Sequence, residues 1–116
     1  MRTDRELLEL AAKAAAMSLW PGDAWRDRPQ GIGLLLSDGR SIWNPLTDDG
    51  DAHRLAARLE LDVMHRVVGG RRIEVLAAGG PLIKHFYEGN TAAAMRRAIV
   101  LAAAEIGAKQ KGTTHG

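Results

Sequence analysis

Cysteine is missing altogether from the chain of 116 residues, and its absence excludes disulfides, thiolate zinc sites, iron–sulfur clusters and thiol nucleophiles together. Long apolar runs are missing as well, since no stretch approaches the roughly 18 uncharged apolar residues that a membrane helix needs. Met1 to Glu9 carries Asp4, Glu6 and Glu9 and no apolar core of the signal-peptide kind, so a cytoplasmic protein with no membrane partner is expected. Aromatic residues are scarce: one Phe and one Tyr stand beside three Trp. The familiar catalytic motifs are absent too. Ser37 and Ser41 lack a GxSxG elbow, Gly31-Ile32-Gly33 lacks the third glycine of a dinucleotide fingerprint, and there is no Walker sequence. No enzyme activity, cofactor or metal is therefore expected.

What is present describes one globular domain. The composition is 46% apolar and 26% charged, ordinary for a soluble chain that buries a single core. The formal charge is +2 while the pI is near 9.4, too small an excess to imply a nucleic-acid partner by itself.

Local signals divide the chain. Thr3 with Glu6 is a capping box, and Leu7, Leu8, Ala11, Ala14 and Ala15 repeat at helical spacing, which predicts a helix over 4–17. Residues 18–31 hold Pro21, Gly22 and Pro29 and read as an irregular connection. Asp38-Gly39 between apolar runs is a hairpin signal, and the consecutive Leu34, Leu35 and Leu36 suggest a strand covered on both faces. A second helix is expected over 48–60, three strands over 63–68, 72–77 and 82–87, and a third helix after Asn90 that Gly107 closes. The class is α+β: a three-layer α/β/α sandwich with a mostly antiparallel sheet and the order α-ββ-α-βββ-α. The domain should span residues 1–108, with a frayed tail over 109–116.

Three blocks carry a resemblance. DRELLELAAKAA (4–15), WNPLTDDGDAHRLA (43–56) and NTAAAMRRAIVLAAAEIG (90–107) resemble the Phage ABA sandwich domain family, small proteins of bacteriophages and prophages. The resemblance implies a three-layer arrangement and a phage setting, and no assigned activity.

Candidate residues fall into four groups. Trp20, Trp25, Arg26 and Arg28 form a candidate interaction surface for a host or phage protein, because Trp and Arg concentrate at the energetic centres of interfaces; the alternative is that the Trp residues plug the sheet end and cover the first helix. Arg71, Arg72, Arg96 and Arg97 are candidate nucleic-acid contacts, although their segments lack the stacking aromatics of single-strand readers. Thr47, Asp48, Asp49 and Asp51 read as a helix start, whose N-terminus favours acidic side chains. Setting Gly50 as the sixth residue of a calcium loop puts Pro45 first and Ala56 twelfth, so that site fails. The residual enzyme readings pair Asp49 with His53, or bring His65, His85 and Glu74 together for proton transfer. A sheet edge left open would permit a weak homodimer in place of a monomer, with Lys84 and Glu88 as guards.

Overall fold

The computed structural model describes residues 2–80 and 82–110. It is an α+β fold with the element order α1 (Asp4–Ala14), β1 (Trp25–Arg26), β2 (Gly33–Leu35), β3 (Ile42–Trp43), α2 (Asp49–Arg58), β4 (Asp62–Arg66), β5 (Arg72–Leu76), β6 (Leu82–Phe86) and α3 (Thr91–Gln110). All strand pairs are antiparallel, and the strands divide into two sheets, β1-β2-β3 and β4-β5-β6.

The start of α1 is the capping box of the sequence: the Glu6 amide donates to Thr3 Oγ1 at 3.2 Å and the Thr3 amide to Glu6 Oε1 at 2.9 Å. Its end comes earlier than the apolar pattern suggests. Ala16 turns left-handed at φ 53°, and the Met17 amide folds back onto the Ala12 carbonyl, satisfying a helix-end acceptor in the manner of a Schellman turn. α2 ends alike, with Glu60 at φ 54° and the Leu61 amide on the Ala56 carbonyl.

The connection over 18–31 is more regular than its prolines imply. The Trp20 amide donates to the Leu35 carbonyl, the Leu35 amide to the Ala24 carbonyl and the Ser37 amide to the Ser18 carbonyl, so the segment is zipped along the edge of β2. Gly33, Leu34 and Leu35 are all buried, and buried backbone groups require partners. The loop supplies them and contributes β1. The β2–β3 turn is fastened by Asp38, whose carboxylate accepts from Ser41 Oγ at 2.6 Å and from the Ser41 and Arg40 amides at 2.8 Å. These bonds, the Ser41 hydroxyl foremost, hold its pKa down to about 2.

α3 organises the rest. One face presents Ala94, Ala98 and Ala102 to Ile73 and Val75 of β5. The opposite face presents Val100, Ala103 and Ala104 to Leu7, Leu8 and Ala11 of α1, Ala52 and Leu55 of α2, and Leu34 and Trp43 of the first sheet. Positions 94, 98 and 102 lie about half a turn away from 100, 103 and 104 at 3.6 residues per turn. A helix enclosed on two faces loses the one-sided apolar stripe of a surface helix, and its alanines let both neighbours approach closely. It also passes straight through Gly107 to Gln110. The expected stop and the first two residues of the expected tail are thus helical; 111–116, including His115, lie outside the described residues.

Candidate functional site

The first expected surface is largely spent on the fold. Trp20, 40% exposed, lies on the β2–β3 turn, where a Cβ on Gly39 would sit 3.0 Å from its ring. Trp25 is paired with Leu34 and carries the Arg5 guanidinium over its ring at 4.6 Å, while Trp43 is 4% exposed in the core. Arg26 turns back onto the Asp23 and Trp25 carbonyls. Arg28 lines an open cavity of about 430 Å³, which it shares with Gln30, Asn44, Thr47, Asp48 and Asp51.

The acidic junction works as scaffold. Asp48 is the cap of α2 and accepts from the Gly50 amide at 3.2 Å. Asp49 reaches α3, accepting from Arg96 Nη1 at 2.6 Å, and the same guanidinium donates to the Leu46 carbonyl. Asp51, 8% exposed, accepts from the Asn44 amide at 2.9 Å and from Arg54 at 2.8 Å. Removing one partner of a buried pair leaves the other desolvated without compensation. Asp51→Ala should therefore cost about 2 kcal/mol in urea unfolding, and a loss under roughly 0.5 kcal/mol, the ordinary surface range, would show that Asp51 does not brace the junction. Asp49 and His53 do line one shallow cavity of about 520 Å³ between α2 and α3. Among the described residues, no three His, Asp or Glu side chains gather as a metal cluster.

The strand histidines divide from their proposed partner. His65 and His85 both oppose Ile73 in register, on the face turned to α3, whereas Glu74 projects from the other face. His65 instead meets the Tyr87 hydroxyl at 2.8 Å, and that hydroxyl donates to Thr91 Oγ1. Burial, with the Arg97 charge second, holds the His85 pKa below its ordinary 6.5. A depressed histidine pKa favours the neutral folded state, so its stabilisation is complete at pH well above 6.5 and is lost as pH falls through 6.5 toward the folded value. His85→Gln should flatten that limb of the stability profile in urea unfolding between about pH 7 and 5; an unchanged slope would count against this account.

The Arg pairs likewise separate. Arg96 is bound to Asp49, and Arg97 to Asp4 of α1 at 3.1 Å. Arg71 lies over the Tyr87 ring at 4.8 Å and donates to Thr91 Oγ1. Arg72 is on the outer face of the second sheet, and there the structure assembles what the sequence reading missed. Glu74, 7% exposed in mid-sheet, accepts from Arg72 Nε at 2.7 Å and lies 3.6 Å from Arg66 Nε. The Arg72 bond holds its carboxyl below the ordinary range, with the Arg66 and Lys84 charges adding to this. Opposite Arg72 in register is Phe86, 58% exposed, with the guanidinium over its ring at 5.8 Å. Leu76 and Leu82 share this face, 39% and 42% exposed. The signal was present as the alternation Leu82, Lys84, Phe86 against Ile83, His85, Tyr87.

The chain matches no family model, no curated protein and no solved structure. No helix among the described residues is long and apolar enough to cross a membrane.

Proposed function

We propose that this protein is a small non-enzymatic accessory protein that binds a macromolecule through the outer face of β4-β5-β6, in the cytoplasm of a bacterial host and in the phage or prophage setting that the resemblance implies. The observation that carries the reading is the open sheet face on which exposed Phe86, Leu82 and Leu76 stand among Arg66, Arg72 and Lys84. Aromatic and Arg side chains concentrate in the energetic centres of binding surfaces, and the central carboxylate of this face, Glu74, is already engaged by Arg72 and Arg66, while Asp62 stands on the same face at its Leu76–Leu82 end. The Trp20 to Arg28 segment is the weaker candidate, because its backbone is paired along β2 and the Trp20, Trp25 and Arg26 side chains are turned onto the β2–β3 turn, Arg5 and local carbonyls.

A photoreactive phenylalanine analogue placed at position 82 or 86, and at exposed Arg40 on the β2–β3 turn as a control, tests the reading in the full chain. Crosslinks should form from positions 82 and 86 in cells and be absent from position 40. Equal labelling at the three positions, or none, would refute it.

A further inference from the structure

We infer that the occupant of this face is single-stranded nucleic acid, with a base stacked on Phe86 and neighbouring phosphates held by Arg66 and Lys84; the inference rests on the binding surface proposed above. Three observations carry it. First, Phe86 offers an exposed ring on an antiparallel sheet with the Arg72 guanidinium over one of its faces at 5.8 Å, and Arg72 is itself fixed by bonds to Glu74 and to the Val68 and Gly70 carbonyls. Every base has a π-face, so such a platform binds unpaired bases with little regard to sequence. Second, Arg66 and Lys84 flank the platform with their side chains in solvent. The acidic residues of the neighbourhood do not block the track: Glu74 is buried beneath Arg72, while Asp62 lies at the far end of β4 and Glu88 lies beyond β6.

Third, the dimensions suit a short strand and not a duplex. Three strands of five residues make a platform about 10 Å wide and roughly 17 Å long, room for two or three nucleotides. A paired base keeps its faces inside its own stack and has none to offer Phe86. Self-association is the poorer fit, because a two-fold pairing would press together two faces that both carry Arg66, Arg72 and Lys84, and like charges across an interface are repulsive.

Fluorescence anisotropy of the full chain with labelled short oligothymidylate and oligouridylate tests the inference. Both should bind at low salt, and a duplex of equal length more weakly. Two phosphate contacts on a single strand predict a salt slope of about −1.4, which weakens binding about sevenfold between about 50 and 200 mM salt. Phe86→Ala should weaken binding about tenfold or more, Phe86→Trp should retain it, and Lys84→Ala should reduce the slope by about 0.7. Circular dichroism of each variant establishes that it is folded. No binding of either oligomer at low salt, binding indifferent to Phe86→Ala, or equal binding of the duplex would overturn the inference. Crosslinks from positions 82 and 86 to a protein, or to a second copy seen as a dimer in sedimentation, would overturn it while leaving the binding surface standing. Silence in both experiments would remove both.

Discussion

Gly107→Ala should destabilise the protein by about 2–3 kcal/mol, and Gly107→Val by more. The physical reason is the crossing of α3 over α1: a Cβ on Gly107 would overlap the Leu10 carbonyl oxygen and lie 2.8 Å from the carbonyl carbon and 3.2 Å from Cα of that residue. The obstacle is backbone inside a helix, which cannot swing aside as a side chain does. Overpacking a filled interior costs about 1–3 kcal/mol, and a backbone obstacle belongs at the top of that range. Alanine's better helix propensity returns at most about 1 kcal/mol. At roughly 4–8 °C per kcal/mol for a small domain, the alanine variant should melt about 10–20 °C lower. Urea and thermal unfolding followed by circular dichroism measure the change. A midpoint that rises would mean that position 107 is only an exposed helix glycine and that α1 and α3 are farther apart.

Ile73→Ala should cost about 3–4 kcal/mol, near the middle of the range for emptying a buried isoleucine site. Ile73 is fully buried and faces Ala94 and Ala98 of α3. Alanines on a continuous helix have no long side chains to swing into the space, so the cavity persists instead of collapsing. The probe used makes the result more informative. Trp43 lies in the core formed by α1, α2, α3 and the first sheet, and Trp25 packs against it, on the opposite side of α3 from Ile73. If the chain over 1–108 unfolds as one unit, the midpoint reported by Trp fluorescence must move as far as that from circular dichroism, because both cores share α3. A fluorescence midpoint left in place while circular dichroism loses an early phase would mean that β4-β5-β6 unfolds separately, and the single-domain expectation would fail.

The sequence read most clearly where the chain's chemistry is local. The Thr3–Glu6 capping box, the Asp38-Gly39 turn, Asp48 at the start of α2, and three strands between 62 and 87 are each specified by a few adjacent residues, and tertiary packing reinforces those choices. Reading failed where a local signal has two physical meanings. Gly107 has the look of a helix terminator, yet here its missing side chain makes room for α1. Pro21, Gly22 and Pro29 indicate an irregular segment, yet the unpaired edge of buried β2 recruits its backbone. The Arg pairs are adjacent in sequence, but Arg96 and Arg97 are claimed by carboxylates near the starts of α2 and α1.

By itself, then, the sequence determined the α+β class, the element order apart from β1, the helix starts and the absence of any chemistry that requires a thiol, since these depend on composition, periodicity and contacts within a few residues. Only the tertiary structure decided that the strands split into two sheets, that α3 is enclosed on two faces, and that Phe86, Arg66, Arg72 and Lys84 share one open face. Alternation along a strand defines two faces but does not say which of them a helix will cover. That choice is made by the burial of Ile73 and Val75 against α3, which leaves the face with Glu74 and Phe86 to the solvent.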